Sequence, residues 1–331
     1  MTTDKLGRNL QDLRISITDK CNFRCRYCMP REIFNEEWEF LPRNEMLTYE
    51  EIILMLHSFT ELGLKKVRLT GGEPLIRKDL QKLIKLIKSS FPEIEIALTT
   101  NGSLLEKYCE ILKNAGLNRI TISLDAIDNN LFQNMNDTKI HVSKVLKGID
   151  AAIESEFEQI KINCVIKKGT NENQILPLIK YFNNKNVILR FIEFMDVGNT
   201  NNWNLNQVMT KNEILKVINS EYEFLPFGRK KISDVAEQWV EKNSSQKIEI
   251  ISSISEPFCS NCTRARVSSD GKLYTCLFGY RGFDLKKILR EKGNLTLEIK
   301  KIWENRDDRF SEMRTEFITE PKKIEMSYIG G

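Results

Sequence analysis

Through the first two hundred residues, short runs rich in β-branched residues alternate with longer segments whose apolar positions recur every three or four residues. The short runs predict buried strands, and the longer segments predict amphipathic helices. The predicted strands are 13–18, 67–70, 94–99, 119–124, 160–166 and 187–192. The predicted helices are 49–62, 80–89, 104–115, 142–155 and 172–182. Six such βα steps predict an α/β fold, with a parallel sheet curved into an incomplete (β/α)6 TIM-like barrel.

Several of these helices carry signals at their ends. Thr48 followed by Glu51 predicts a capping box, and Asp79 predicts a second helix start. Gly63 and Gly116 stand where glycines commonly terminate helices. In parallel α/β folds the chemistry lies at the carboxyl ends of the strands, so the polar and glycine-rich segments that follow the first four strands are the first candidates for a site.

Two regions depart from the alternation. Residues 129–140 are interpreted as a loop, and an asparagine-rich stretch begins after Val197. A helix near 211–220 and short β-like runs follow it, at 247–251, 265–268 and 272–276. We therefore expect a barrel domain over residues 1–197 and a smaller C-terminal domain over residues 198–331.

Composition and charge exclude few classes of protein. Hydrophobic residues make up 41% and charged residues 29% of the chain, which is ordinary for a globular protein. The formal net charge of +4 is too small to indicate a polyanionic partner, so nucleic acid is not expected. No basic segment precedes an apolar run at the N-terminus, and no stretch approaches the length of a membrane span. Neither export nor membrane insertion is expected, and the expected compartment is the cytoplasm.

Six of the eight cysteines fall in two groups of three. The two groups are Cys21, Cys25, Cys28 and Cys259, Cys262, Cys276. Thiols stay free in a reducing compartment, so the grouping favours metal ligation over disulfides. Cys109, in a predicted helix, and Cys164, in a predicted strand, are interpreted as small buried apolar residues.

The first cysteine group follows the first predicted strand with the spacing CxxxCxxC. A cubane [4Fe–4S] cluster that only transfers electrons takes four thiolates, so three ligands leave one iron open. A structural zinc site is the alternative. A structural zinc site would need a fourth ligand, and neither His57 nor His141 is close in sequence to the first cysteine group.

This spacing, with the aromatic Tyr27 before the third cysteine, resembles the signature of the radical S-adenosylmethionine (SAM) superfamily. A glycine-rich motif after the second predicted strand is similar to the loop with which the superfamily holds the methionine amino group. The resemblance implies a [4Fe–4S] cluster on the first cysteine group, with SAM bound at its open iron. The residues implied to form the SAM pocket are Tyr27, Gly71, Gly72, Glu73, Pro74, Ser123 and Met195.

The second cysteine group is a CxxC pair with a third cysteine after thirteen further residues. A zinc ribbon would need a fourth ligand, so three cysteines favour a second cluster with an open iron for substrate. Together with the segment 12–19 and a terminal diglycine, this group resembles the GTP 3′,8-cyclase family of molybdenum-cofactor biosynthesis over essentially the whole chain. The resemblance implies a second [4Fe–4S] cluster on Cys259, Cys262 and Cys276.

The same resemblance implies roles for individual residues. Those implied to contact GTP are Arg14, Lys66, Arg68, Thr99, Lys161, Arg264, Ala265 and Arg266. Those implied at the catalytic centre are Arg14, Arg264, Arg266, Gly330 and Gly331. The fork of donors on arginine suits phosphate oxygens, and Arg264 and Arg266 alternate on one face of a predicted strand.

The implied reaction begins with a 5′-deoxyadenosyl radical, released from SAM, that abstracts hydrogen from the ribose C3′ of GTP. The C3′ radical attacks C8 of the guanine, and reduction gives (8S)-3′,8-cyclo-7,8-dihydroguanosine 5′-triphosphate. The resemblance also implies a low-potential electron donor of the flavodoxin or ferredoxin type, and a cyclic pyranopterin monophosphate synthase that takes the product. A homodimer is one assembly that it allows.

Two alternatives stay open on the residues alone. A different radical SAM enzyme with an auxiliary cluster could act on a peptide, although it gives no reason for Arg264, Arg266 and the diglycine to occur together. A non-enzymatic iron–sulfur or zinc protein would be expected to have complete four-ligand sites.

Overall fold

The structure, a computed structural model, describes residues 2–229, 234–244, 246–314 and 323–330. Within these residues, twelve strands form one open sheet in the order β12-β11-β10-β1-β2-β3-β4-β5-β6-β9-β8-β7. No helix in the described ranges has both the length and the apolar character needed to cross a bilayer.

Six neighbouring parallel strands form the centre of this sheet. They are β1 (Asp12–Ser16), β2 (Lys66–Thr70), β3 (Glu95–Thr100), β4 (Arg119–Ser123), β5 (Gln159–Ile166) and β6 (Ile188–Glu193). One face of the strands is apolar and belongs to the main hydrophobic core, as Leu13, Val67 and Ile120 illustrate. The alternate positions carry polar and charged side chains, such as Arg14 and Arg68. The period of two therefore separates a core face from a polar face, and the predicted incomplete parallel barrel is confirmed.

Helices connect the strands and cover the apolar face. They are α1 (Tyr49–Glu61), α2 (Leu80–Ser90), α3 (Leu105–Asn114), α4 (Asn129–Asn136), α5 (Val142–Glu154), α6 (Ile175–Phe182) and α7 (Lys211–Ile218). The capping box of Thr48 and Glu51 is present. Asp79 precedes α2 as predicted, but it adopts a left-handed conformation and its side chain makes no capping hydrogen bond.

Helix α4 corrects the interpretation of residues 129–140 as a loop. Asp128 caps the helix by accepting a hydrogen bond of 2.8 Å from the Leu131 amide. Phe132 and Met135 are its buried apolar residues. Four asparagines among its eight residues oppose a helix on local propensity alone, so the burial of its apolar side against the core stabilises it.

The C-terminal strands extend the sheet at both edges. They are β7 (Phe224–Gly228), β8 (Glu237–Glu241), β9 (Lys247–Ile251), β10 (Arg264–Val267), β11 (Lys272–Tyr274) and β12 (Phe283–Asp284), followed by α8 (Leu285–Arg290), α9 (Leu295–Glu304) and α10 (Met326–Ile329). Strand β9 pairs parallel with β6, and β10 pairs parallel with β1. A domain boundary at residue 197 stays a prediction, because the chain beyond it shares a continuous sheet with the barrel.

Candidate functional site

A cavity of about 280 Å³ lies at the carboxyl ends of the parallel strands, and all six grouped thiols line it. The other predicted site residues that line it are Arg14, Tyr27, Gly71, Gly72, Thr99, Ser123, Met195, Arg264 and Arg266. Strand β10 lies beside β1, so the two cysteine groups, more than two hundred residues apart in sequence, meet at one place. The tertiary structure thus joins the two motifs that the sequence separates.

The first cysteine loop is held by helix α4. The amides of Arg24 and Arg26 donate to the carbonyls of Asn136 and Met135, each at 3.0 Å. The Cys25 thiol lies 3.1 Å from Asn136 Oδ1, to which it donates. The helix that sequence reasoning missed is therefore the element against which the cysteine loop packs.

The donor set fits an iron–sulfur cluster. Burial raises the pKa of Cys21 to about 11, with Glu73 raising it further, and burial raises the pKa of Cys25 and of Cys28. Enclosed thiols of this kind become thiolates when a metal displaces their protons. Among the described residues, no three His, Cys, Asp or Glu side chains converge as ligands of a single ion. A cubane takes one thiolate at each of several irons, so its ligands surround the cluster instead of meeting at one point.

The second cysteine group has a more positive environment. Arg264 Nη2 donates to the Cys262 sulfur at 3.3 Å. Burial acts to raise the pKa of Cys262, but the positive charges of Arg264 and then of Arg306 outweigh burial and lower this pKa to about 6. Burial raises the pKa of Cys276 to about 12. The Cys262 thiolate is thus favoured before any metal binds, which suits ligation.

The glycine motif packs on the backbone that precedes the first cysteine. The Gly72 amide donates to the Thr18 carbonyl at 2.7 Å, and the Glu73 amide donates to the Lys20 carbonyl at 2.8 Å. Glu73 is buried, where its carboxylate accepts from the Thr100 hydroxyl and the Asn101 amide, each at 2.7 Å. Burial raises the pKa of Glu73 to about 7. Glu73 and the neighbouring Pro74 therefore shape this loop from behind the cavity wall.

Gly72→Ala is expected to empty the first cluster site selectively. A Cβ at position 72 would lie 2.5 Å from the Lys20 carbonyl carbon, which is rigid backbone next to Cys21. We expect iron to fall from about eight to about four per chain, because only the first group is displaced. Iron analysis and electron paramagnetic resonance measure this. Gly169→Ala is the control for strain without crowding, because its φ of +77° disfavours alanine while its Cβ would meet none of the described residues within 4 Å. Equal iron in the two variants would contradict the prediction.

Tyr27 is fixed by an acid at the end of the fourth strand. Its hydroxyl donates to Asp125 Oδ2 at 2.6 Å, and the other oxygen of Asp125 accepts from the Val165 amide at 2.9 Å. Burial raises the pKa of Asp125 to about 6. The sequence predicted a polar segment after the fourth strand but assigned Asp125 no contact. Its position two residues after Ser123 was the available signal.

Three arginines stand side by side across neighbouring strands. Arg14 on β1 is in register with Arg266 on β10 and with Arg68 on β2. Burial lowers the pKa of Arg14 well below its usual range, and Arg266, Arg68 and Arg264 lower it further. Burial lowers the pKa of Arg68 and of Arg266 to about 10. We call Arg14, Arg68 and Arg266 the arginine row. Such mutual repulsion is relieved by a bound anion.

Other residues predicted to contact GTP do not line the cavity or are already paired with protein side chains. Lys66 pairs with Glu95 at 2.7 Å, and Lys161 pairs with Glu249 at 2.8 Å. Arg68 donates to the hydroxyls of Thr99 and Thr121, each at 3.1 Å. Ala265 is different, because its methyl group is buried in the hydrophobic core on the opposite face of β10. The whole residue is buried and does not line the cavity.

Gly330 closes one side of the site. Its carbonyl accepts a hydrogen bond from Arg266, and its φ of +78° favours glycine. A Cβ at this position would clash with the side chain of Thr70 at the end of β2. Glu325, five residues earlier, accepts from the Asn199 amide at 2.9 Å and holds the tail to the loop after β6. Gly331 lies outside the described residues.

Sequence reasoning also missed Arg190, which lines the cavity from β6. Its Nε donates to Glu249 at 2.8 Å, so Arg190 and Lys161 share one carboxylate. Alternation along the predicted strand places Arg190 on the face that would line the barrel, and this was the signal that could have found it. Glu249 gave no such signal, because its partners lie on strands far away in sequence.

Comparisons with known proteins agree with this geometry. Residues 15–182 match the radical SAM superfamily, and residues 187–312 match the family described as Molybdenum Cofactor Synthesis C. A GTP 3′,8-cyclase of Staphylococcus epidermidis is 50% identical over 335 residues, covering 99% of this chain and 98% of the relative. The GTP 3′,8-cyclase of Staphylococcus saprophyticus is 47% identical over 336 residues, with the same coverage.

Solved structures share the fold at low sequence identity. Streptococcus suis SuiB has a TM-score of 0.63 at 15% identity, over 94% of this chain and 69% of that one. The same protein bound to S-adenosylmethionine has a TM-score of 0.61, over 88% and 68%. With two cysteine groups at one cavity, a glycine motif behind the first, and full-length relatives near half identity, the chain belongs to the GTP 3′,8-cyclase family of the radical SAM superfamily.

Proposed function

We propose that this chain converts GTP to (8S)-3′,8-cyclo-7,8-dihydroguanosine 5′-triphosphate, the first step of molybdenum-cofactor biosynthesis. The observation that carries the proposal is the arginine row beside a cavity that all six grouped thiols line. Among the described residues, the Arg14 guanidinium has neither a hydrogen bond nor an ion pair. A partly buried cation without a partner is costly, and a triphosphate supplies the missing charge.

Cys21, Cys25 and Cys28 would hold the cluster that binds SAM, and Cys259, Cys262 and Cys276 would hold the second cluster. When bound, the first cluster and SAM supply the radical that removes hydrogen from the ribose C3′. Tyr27, Gly71, Gly72, Ser123 and Met195 would form the wall of the SAM pocket. Glu73 and Pro74 would act behind it, by holding the glycine turn against the cysteine loop.

The task of the remaining residues is to hold GTP and exclude water from a reactive centre. Arg14, Arg264 and Arg266 would bind the nucleotide where the two cysteine groups meet. Lys66, Arg68, Thr99 and Lys161 lie on the same polar face of the sheet, and Gly330 would close the site through Arg266. Ala265 would act by placing Arg264 and Arg266 on one face of β10, and Gly331 is proposed as a further residue of the catalytic centre.

The proposal includes partners and a compartment. Electrons would come from a low-potential donor of the flavodoxin or ferredoxin type, and a cyclic pyranopterin monophosphate synthase would take the product. We assign the reaction to the cytoplasm, because a site built on free thiols needs reducing surroundings. A homodimer would be detected by light scattering during size-exclusion chromatography.

The direct test is incubation of the reduced, reconstituted protein with SAM and GTP under anaerobic conditions. We expect about eight irons per chain, formation of 5′-deoxyadenosine, and a cyclised nucleotide identified by mass spectrometry. Formation of deoxyadenosine without a product from GTP would show that GTP is not the substrate, although the chain would still cleave SAM as the superfamily does. Zinc in place of iron would reject both.

Lys161 should make GTP binding depend on pH. Burial, and then the neighbouring Arg190, lower the pKa of Lys161 to about 7. A bound triphosphate raises that pKa, so the affinity is greatest below pH 7 and falls as the pH rises through the pKa of the free protein. We expect the affinity for GTP to decrease by up to about tenfold for each pH unit above that pKa, and we expect the protein to take up a proton when GTP binds.

Calorimetric titration of GTP between pH 7.5 and 8.5, in two buffers with different ionisation enthalpies, measures this uptake. In this range the terminal phosphate, which titrates near pH ~6, is already ionised. Lys161→Arg is the matched variant, because its guanidinium keeps its proton throughout. Proton uptake by the arginine variant equal to that of the parent would assign the pH dependence to another group.

A further inference from the structure

Two arginines hold the turn of the second cysteine group from behind. Arg8 Nη1 donates to the Cys259 carbonyl at 2.9 Å, and Arg306 Nη1 donates to the Cys262 carbonyl at 2.8 Å. The contacts run from a segment near the N-terminus and from the chain just after α9, so neither is local to the turn. Each guanidinium thereby fixes the backbone of one cysteine.

Asp4 joins the two arginines. Its Oδ2 accepts from Arg8 Nε at 2.6 Å and lies 3.3 Å from Arg306 Nη1. All three side chains are almost completely enclosed, with 0% of Asp4 and 1% of each arginine side chain exposed. A carboxylate buried with two guanidinium groups is retained only where its hydrogen bonds are satisfied, and the Asp4 Oδ1 accepts from the amides of Leu6 and Arg8.

Further contacts support this buried ion cluster, by which we mean Asp4, Arg8 and Arg306. Arg306 stacks 4.5 Å above the ring of Trp303, whose Nε1 donates to the Arg8 carbonyl at 3.0 Å. Arg8 Nη1 also donates to the Asp308 carbonyl at 2.8 Å, and Arg306 Nε lies 3.3 Å from the Asp308 carboxylate. Arg8 Nη2 is buried without an acceptor among the described residues. The cluster thus keeps one free donor beside the cysteine turn.

We propose that Asp4, Arg8 and Arg306 are positioning residues for the second iron–sulfur cluster, which hold the Cys259–Cys262 turn in ligating shape and set the charge beside it. The inference rests on the proposed second cluster. Reduction adds one negative charge to such a cluster, so nearby positive charge favours the reduced form and nearby negative charge opposes it. Charge changes of opposite sign in the buried ion cluster must therefore move its reduction potential in opposite directions.

The test uses reconstituted holoenzyme with Arg306→Gln and Asp4→Asn. Arg306→Gln removes positive charge and should shift the potential of the second cluster to more negative values. Asp4→Asn removes negative charge and should shift it to more positive values. We expect each change to alter the ratio of reduced to oxidised cluster on the order of tenfold, which is about 59 mV for a one-electron couple. Redox titration followed by electron paramagnetic resonance measures both shifts, and the two clusters are distinguished by the response of the first to SAM.

Arg8→Lys tests positioning without a change of charge. Lysine loses the fork that reaches the Cys259 and Asp308 carbonyls, so we expect the second cluster to be partly lost while the potential of the remainder is little changed. Lys5→Gln is the matched control, because the Lys5 side chain forms an exposed ion pair with Asp307 in the same segment and the substitution leaves its backbone hydrogen bond to Arg306 in place. It should keep full iron content and the parent potential.

The outcomes separate this inference from the proposed function. A parent protein that contains only one cluster would reject the second cluster itself. The positioning role would be overturned if the parent contains two clusters but the potential of the second cluster is unchanged in both charge variants. It would also be overturned if Arg306→Gln and Asp4→Asn shift that potential in the same direction. Selective loss of the second cluster in either charge variant supports it, because the first cluster is then intact. Equal loss of both clusters would assign the residues to general stability and overturn it.

Discussion

Cys25→Ser should abolish formation of 5′-deoxyadenosine, whereas Cys262→Ser should leave some of it and abolish cyclisation. Cys25 is the middle cysteine of the loop that packs on α4, and its thiol is one of three on that side of the site. Serine offers a harder and much less acidic oxygen, which binds iron–sulfur clusters poorly. The first variant therefore loses the site for SAM. The second variant loses only the site proposed for the guanine.

Chromatography of deoxyadenosine and of the cyclised nucleotide measures the two activities separately, and iron analysis shows which cluster is lost. Cys109→Ala is the matched control, because Cys109 is a buried thiol on α3 outside both groups. It should keep about eight irons per chain and lose only the modest packing energy of a small side chain. Product formation by Cys262→Ser at the parent rate would mean that the second group is not a substrate site.

Arg266→Ala should weaken GTP binding by roughly ten to a hundredfold, which corresponds to the loss of about 1.5–3 kcal/mol for a hydrogen bond to a charged group. Arg266 stands at the end of the arginine row, so its removal leaves Arg14 to neutralise more of the triphosphate. Arg266→Lys keeps the charge but loses the planar fork, and we expect a smaller loss of affinity. The spectrum of the first cluster and uncoupled SAM cleavage should remain.

Calorimetric titration of GTP measures these affinities. Arg290→Ala is the matched control, because Arg290 forms an exposed ion pair with Glu51 on the outside of the molecule. Arg266 also donates to the Gly330 carbonyl, so Gly330→Ala separates the two roles by displacing the tail while it leaves the arginine in place. A dissociation constant unchanged in Arg266→Ala would place the nucleotide elsewhere.

Local signals in the sequence predicted most of the barrel. The six parallel strands follow apolar runs with a period of two, and helix α1 begins at a capping box of two residues three apart. Such features depend on a few consecutive residues, so they can be recognised before the fold is known. The CxxxCxxC spacing is equally local, because one loop carries all three thiols. The rule that chemistry lies at the carboxyl ends of parallel strands then places the glycine motif beside them.

Helix α4 shows where local signals fail. Its asparagine-rich sequence favours turns, and the packing of Phe132 against the core, together with the Asp128 cap, stabilises the helical form. Its contact with the cysteine loop depends on that packing. Tertiary packing here overrides the low helix propensity of the asparagines, so the prediction of a loop over residues 129–140 was wrong.

The pairing of distant segments was decided by the tertiary structure alone. Alternation put Arg264 and Arg266 on one strand face, but nothing in the sequence reveals that β10 pairs with β1 and sets Arg266 beside Arg14. Tertiary structure likewise brings Glu249 to Lys161 and Arg190. It also brings Arg306 to Asp4 in the buried ion cluster. An open barrel leaves two edges whose partners come from anywhere in the chain, and the register of those pairings is set by packing across the whole sheet. The sequence therefore determined which residues are candidates for the chemistry, and the strand pairing at the two sheet edges decided which of them meet.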